Sequence, residues 1–182
     1  MKERGVQERL ETKRAQDAAG IVAEGLVVAG YASVFGRVDG GGDVVMPGAY
    51  ARGLARLAAR GGRVRMLWQH DATRPIGVWD EVREDGRGLW VSGRLLADVA
   101  QAREAAALLA AGAIDGLSIG YRAVRAERDG QGRRVLTEID LWEVSLVTFP
   151  MQGEARVGAK AAIGLRALAQ ALAQARRRLA GA

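Results

Sequence analysis

The apolar and polar positions of the chain form two kinds of pattern, one typical of strands and one typical of helices. Segments rich in β-branched and aromatic residues predict strands, and turn signals divide these segments into six or seven strands. EDGRG at 84–88 and RDGQG at 128–132 are turn signals, and RVDGGGD at 37–43 predicts a flexible loop. The strand candidates are 21–35, which holds one or two strands, 64–68, 76–82, 88–96, 114–127 and 133–149.

Two segments carry helical patterns. Residues 47–60 are expected to begin a helix at Pro47, because proline suits the first helical turn. Residues 98–111 are rich in alanine and leucine, with Asp98 as the expected cap and Gly112 as the expected stop. One face of the first helix is expected to be buried, since its apolar residues follow the i, i+4, i+7, i+8 spacing: Tyr50, Leu54, Leu57 and Ala58.

The order of these elements predicts an α+β fold. Helices are inserted among strands and do not alternate with them, which favours a mostly antiparallel, closed or partly closed β-barrel over a doubly wound sheet. We expect residues 20–158 to form this domain. Residues 1–19 are expected to be a polar leader, helical or disordered, and residues 159–182 a basic amphipathic helical tail.

The composition narrows the class of protein. Of the 182 residues, 49% are hydrophobic and 26% are charged, so the chain can bury a core. The absence of cysteine excludes a disulfide scaffold, a thiolate zinc site and a cysteine nucleophile. Apolar runs stay well short of the roughly 20 residues that a membrane helix needs, so no membrane partner is expected.

The net charge of +6 is concentrated at one end of the chain. Residues 159–182 carry five basic residues and no acidic residue, so +6 − 5 leaves the preceding residues at +1. A nearly neutral body with nine aromatic residues argues against a small barrel that binds nucleic acid by stacking. Contact with nucleic acid is therefore expected at most weakly, through the basic tail.

Residues 116–120 spell G-L-S-I-G, the letters of the nucleophile elbow found in α/β-hydrolases. An elbow needs a helix directly after the serine and a histidine later in the chain. Here the following residues alternate like a strand, and the single histidine, His70, precedes Ser118, so the elbow is rejected. Two interpretations stay open: Ser118 is a strand nucleophile made accessible by Gly116 and Gly120, or these small residues let the sheet bend.

A strand nucleophile would need a base and an orienting acid. His70 follows a predicted strand and precedes a predicted loop at 71–75, where sites are common, although a lone histidine is more often a surface or capping residue. Three acids lie in EIDLWEVSLV: Glu138, Asp140 and Glu143. Glu143 stands in the most apolar part, where a carboxylate is costly without a partner, unless it lies on a solvent-facing side.

Five sequence blocks follow one another in a specific order. They are GYASVFGRVDGGGDVVMPGAY (30–50), LWQHDATRPIGVW (67–79), GLWVSGRLL (88–96), GAIDGLSIGYR (112–122) and EIDLWEVSLVTFPMQGEARV (138–157). Together they resemble the prohead (capsid maturation) proteases of HK97-like tailed bacteriophages, and the resemblance covers roughly residues 25–158.

This resemblance implies a serine endopeptidase with a β-barrel surrounded by helices, related in fold to the herpesvirus maturation proteases. It makes His70 the catalytic histidine and Ser118 the nucleophile. The herpesvirus relatives carry a second histidine on the strand after the serine. This chain has only one, so Glu143 is expected as the third member, with Asp140 as the runner-up. The implied acyl transfer requires no metal or organic cofactor.

The resemblance also implies partners and a location. The substrates would be the N-terminal scaffolding segment of the major capsid protein and the protease itself, inside the assembling procapsid in the bacterial host cytoplasm. Self-association is left open.

The tail would dock on a capsid or scaffold helix, be removed by self-cleavage, or fray in solvent. The alternative function is a non-catalytic procapsid assembly or scaffold module with the same barrel.

Overall fold

The computed structural model describes residues 27–149, the backbone of residues 11–14, and Arg177. Two helices and eight strands occupy this part of the chain. In chain order they are β1 (Glu11–Arg14), β2 (Val27–Val34), β3 (Asp43–Val45), α1 (Ala51–Ala59), β4 (Arg65–Trp68), β5 (Asp71–Glu84), β6 (Gly88–Leu95), α2 (Ala100–Ala111), β7 (Gly116–Arg128) and β8 (Arg134–Val147).

All eight strands belong to one sheet that curls into a half-barrel. Its order is β1-β7-β8-β4-β5-β6-β2, and β3 pairs with β8 outside this path. Only β3 and β4 pair with β8 in parallel; the other pairs are antiparallel. The α+β class and the mostly antiparallel sheet are therefore confirmed. A closed barrel is not confirmed, because among the described strands no hydrogen-bonded pair joins β2 to the opposite edge of the sheet.

Two strands were missed because they are short, with four and three residues. Residues 11–14 pair antiparallel with β7, so the expected helical or disordered leader is wrong for these four residues. Residues 43–45 pair in parallel with β8 at the end of the predicted loop 37–43. Both strands depend on backbone bonds to long neighbouring strands. The predicted tail at 159–182 lies outside the described residues, apart from Arg177.

Helix α1 begins later than Pro47, because residues 47–50 form a turn. The carboxylate of Glu84 accepts the backbone N–H groups of Gly48 and Tyr50 and fixes this turn. Tyr50 is buried as expected, and Leu54 and Leu57 are half-buried, but Ala58 is exposed, so that part of the predicted face is wrong.

Gly53 takes the buried position on α1. A Cβ at Gly53 would overlap the carbonyl oxygen of Ile139 on β8. The absence of a side chain therefore lets α1 approach the backbone of β8 closely.

Helix α2 begins at Ala100 after Val99, and no side chain caps it, so the expected cap at Asp98 is wrong. Gly112 ends the helix as expected: its φ is 70°, a left-handed conformation that glycine adopts at little cost. Over the described residues, no helix is long and apolar enough to cross a membrane.

Candidate active site

Strand β8 lies between β7 and β4, and this placement assembles the site. The antiparallel register with β7 sets Ser118 opposite Ser145 and Gly120 opposite Glu143. The parallel register with β4 sets Trp68, its last residue, beside Leu146. The residues after β4 therefore emerge next to the segment of β8 that already faces Ser118.

Gln69 and His70 form the two-residue turn between β4 and β5. Both have positive φ, 53° and 63° respectively, and Trp68 pairs with Asp71 across the turn. Two positive φ values in a two-residue hairpin are typical of a type I′ turn, which normally favours asparagine and glycine. The predicted loop at 71–75 is wrong, because β5 begins directly at Asp71. His70 thus occupies a tight, costly turn, as strained functional residues often do.

Residues of β8 and the segment after it hold this turn. The backbone N–H of Gln69 donates to the carbonyl of Leu146 over 2.9 Å. The side-chain amide of Gln69 donates to Thr148 Oγ1 over 2.6 Å and accepts the Thr148 backbone N–H over 3.3 Å. These bonds offset the conformational cost of the turn and fix its orientation relative to β8.

His70, Ser118 and Glu143, the three residues expected from the sequence, are in contact. His70 Nε2 lies 2.7 Å from Ser118 Oγ, and His70 Nδ1 lies 2.5 Å from Glu143 Oε1. A carboxylate oxygen accepts hydrogen bonds, so this contact fits the imidazole tautomer that carries its proton on Nδ1. Nε2 is then free to accept the hydroxyl proton of Ser118.

The three side chains are well shielded from water. Ser118 has no exposed surface, the Glu143 side chain is 6% exposed and that of His70 is 16% exposed. Glu143 therefore does not lie on a solvent-facing side of its strand. The partner that its apolar surroundings led us to expect is His70. Electrostatic interactions among these groups are stronger here than at an exposed site, because less water screens them.

Ser145 belongs to the same hydrogen-bond network. Its hydroxyl accepts the backbone N–H of His70 over 3.1 Å and donates to Glu143 Oε2 over 2.7 Å. Ser145 is fully buried. It lies two residues from Glu143 on β8, so both side chains project from the same face of the strand.

Gly120 has a role beyond those expected from the sequence, and its pairing with β8 is irregular at the next residue. Its missing side chain was expected to open the strand to a substrate or to let the sheet bend. In the structure a Cβ at Gly120 would overlap the carboxylate of Glu143. Glycine at this position therefore makes room for the acid that contacts His70.

Asp140, the runner-up for the third position, lies in another ion-pair cluster. Its carboxylate contacts Arg56 over 2.6 Å and Arg122 over 2.8 Å. Burial would raise the pKa of Asp140, but hydrogen bonds from Arg122 and Arg56 outweigh it and lower the pKa below its usual value. Glu138 also pairs with Arg56, over 2.6 Å. Neither acid contacts the imidazole.

A family model described as "Caudovirus prohead serine protease" matches residues 10–168, most of the chain. The chain belongs to this family. The prohead protease of Enterobacteria phage HK97 is 33% identical over 133 residues, which cover 71% of this chain and 58% of that protein. This family member thus spans less than two thirds of the length of the HK97 relative.

A solved structure shares the fold of this prohead protease family member. The bacteriophage T4 capsid assembly protease superposes with a TM-score of 0.65 and 13% identity, covering 78% of this chain and 98% of that chain. At this identity the likeness concerns the fold alone.

Sequence reasoning missed Gln69, Ser145 and Thr148. The only available signal for Ser145 was its i+2 spacing from Glu143, and its opposition to Ser118 requires the strand register. Gln69 stood in the quoted block LWQHD, but its bond to Thr148 joins distant parts of the chain.

Proposed function

We propose that this chain is a serine endopeptidase in which Ser118 is the nucleophile, His70 the general base and Glu143 the orienting acid. The observation that carries the proposal is the continuous hydrogen-bonded line from Ser118 Oγ to Nε2 and from Nδ1 to Glu143 Oε1, over 2.7 Å and 2.5 Å. Catalytic triads are recognised by such geometry, because their chain order differs among unrelated folds. Asp140 is set aside because two arginines hold its carboxylate.

The proposed mechanism is acyl transfer. Ser118 Oγ attacks the scissile carbonyl while His70 Nε2 takes its proton, and His70 then donates that proton to the leaving amine. Water attacks the acyl-enzyme by the reverse sequence of proton transfers. Glu143 holds the Nδ1–H tautomer and stabilises the imidazolium that forms in each step.

The proposed substrate is the N-terminal scaffolding segment of the cognate major capsid protein, together with the protease itself. The support is membership of the family and the nature of the two relatives, a prohead protease and a capsid assembly protease. The reaction would take place inside the assembling procapsid in the host cytoplasm. The expected likeness in fold to the herpesvirus maturation proteases stays a prediction.

Co-expression with the cognate capsid protein tests this proposal. We expect the wild-type chain to remove the N-terminal segment and Ser118→Ala to leave it intact, as measured by intact mass. Ser33→Ala is a matched control, because it removes another buried serine hydroxyl, on β2. Cleavage that continues undiminished in Ser118→Ala refutes the nucleophile assignment. Incorporation of wild-type chain into procapsids without any cleavage supports the scaffold-module alternative instead.

A further inference from the structure

We propose that Ser145 is a positioning residue that holds both the histidine and the acid of the site through one hydroxyl group. The proposal rests on the proposed peptidase function for its kinetic consequences, but its geometric basis is independent of any substrate. Nothing in the sequence pattern or in the family comparison assigns this role to Ser145.

The Ser145 hydroxyl satisfies two groups at once. It accepts the backbone N–H of His70 and donates its own proton to Glu143 Oε2, over 3.1 Å and 2.7 Å. Because Ser145 is fully buried, water does not replace either bond if the hydroxyl is removed. His70 and Glu143 would then each lose one hydrogen-bond partner.

His70 needs support at its backbone. Its φ of 63° is costly for a residue with a side chain, and it follows Gln69, whose φ is 53°. Such a turn persists only where its surroundings fix it. The Ser145 hydroxyl binds the His70 N–H directly, so it sets the direction from which the imidazole reaches Ser118.

Each carboxylate oxygen of Glu143 has a partner of its own. Oε1 accepts the imidazole Nδ1–H, and Oε2 accepts the Ser145 hydroxyl. With both oxygens bound, rotation of the carboxylate about its terminal bond would break two contacts. Ser145 therefore keeps Oε1 directed at His70 while the proton moves at the opposite ring nitrogen.

Threonine and valine at position 145 give a matched test, since they have nearly the same shape and differ in the hydroxyl. We expect Ser145→Thr to retain most of the activity. Ser145→Val is expected to lower kcat about 10- to 100-fold with little change in KM, the loss typical of a hydrogen bond to a charged group. Ser145→Ala should resemble Ser145→Val and replaces it in the comparison if valine prevents folding. Ser33→Ala controls for the loss of a buried hydroxyl.

A second measurement does not depend on turnover. The chain has a single histidine, so NMR of ¹⁵N-histidine-labelled protein reports only the His70 ring. We expect a protected Nδ1–H proton in the wild type and Ser145→Thr, and its loss to exchange with water in Ser145→Val or Ser145→Ala. A structural role alone would lower thermal stability without changing this signal in the folded protein.

The outcomes separate the two proposals. If Ser145→Val and Ser145→Ala keep both the wild-type kcat and the Nδ1–H signal, the positioning role is overturned while the peptidase function stands. If the wild-type chain cleaves nothing, the proposed function fails, and the histidine signal alone decides the role of Ser145.

Discussion

Replacing Glu143 with glutamine removes a charge from the site while nearly preserving its shape. The glutamine carbonyl can still accept the Nδ1–H of His70, and its amide can donate to Ser145, which has an acceptor lone pair left, while the Ser145 hydroxyl loses Oε2 as its acceptor. The contact with the His70 ring can therefore survive. What disappears is the attraction between the carboxylate and the imidazolium that forms when His70 takes the proton of Ser118.

The size of this loss follows from the buried contact. Two charges about 4 Å apart at an effective dielectric constant of about 20 attract by about 4 kcal/mol, which corresponds to about 10³-fold in rate. Exposures of 6% and 16% for the two side chains leave little solvent screening. The equivalent acid-to-amide change in the chymotrypsin triad lowers kcat about 10⁴-fold. We therefore expect Glu143→Gln to lower kcat about 10³- to 10⁴-fold.

The assay is single-turnover cleavage of the purified capsid protein at saturating enzyme, followed by mass spectrometry, with Asp140→Asn as the matched control. Asp140 lies on the same strand but binds Arg56 and Arg122, which are about half exposed, so its replacement should change kcat less than about 3-fold. A loss below 10-fold in Glu143→Gln, or an equal loss in Asp140→Asn, would show that Glu143 is not the orienting acid.

Three further substitutions test other parts of the fold. Gly120→Ala should lower kcat about 10²-fold or more, because the added Cβ overlaps the Glu143 carboxylate and displaces it. Kinetics measure the loss of activity, and thermal unfolding shows whether the variant is still folded. Gly53→Ala should destabilise the protein by about 1–3 kcal/mol in urea unfolding, because overlap with the Ile139 carbonyl outweighs a gain of about 1 kcal/mol in helix propensity. Asp85→Asn should lower stability near pH 7 and flatten the stability profile below pH 4. The backbone N–H of Arg87 is the main cause that lowers the pKa of Asp85 to about 2, so its stabilisation is present above the unfolded pKa and is lost as the pH falls toward 2.

Two other glycines of the chain provide controls for the glycine variants. Gly86→Ala and Gly130→Ala add a Cβ where no atom lies within 4 Å, so both should leave kcat unchanged. A Gly53→Ala variant that is more stable than the wild type would contradict the close approach of α1 to β8. Wild-type acid sensitivity in Asp85→Asn would contradict the role of that carboxylate.

Local sequence signals predicted much of the sheet but little of its assembly. The turn RDGQG and the long flanking strands were found because their residues are neighbours in sequence, and β7 and β8 pair as expected. Residues 71–75 were mistaken for a loop because they are polar, contain Pro75 and stay mostly exposed in β5. Their pairing with β4 is interrupted by register shifts, so no regular alternation marks them as a strand.

The candidate site shows the same division. Glu143 could be singled out because a carboxylate in an apolar strand needs a partner, and the single histidine left one choice of base. Which acid contacts His70 could not be derived, because that depends on the parallel pairing of β4 with β8. Such pairing joins segments far apart in sequence and leaves no local pattern.

The position of His70 is determined by β8 more than by the strand that carries it. Leu146, Ser145 and Thr148 bind the Gln69–His70 turn at three points, and Glu143 binds the imidazole itself. Since β8 also pairs with the strand of Ser118, one strand fixes the distance between His70 and Ser118. Small displacements of β8 would therefore move His70 and Glu143 together and preserve their contact. Changes confined to the turn would move the imidazole relative to both Ser118 and Glu143.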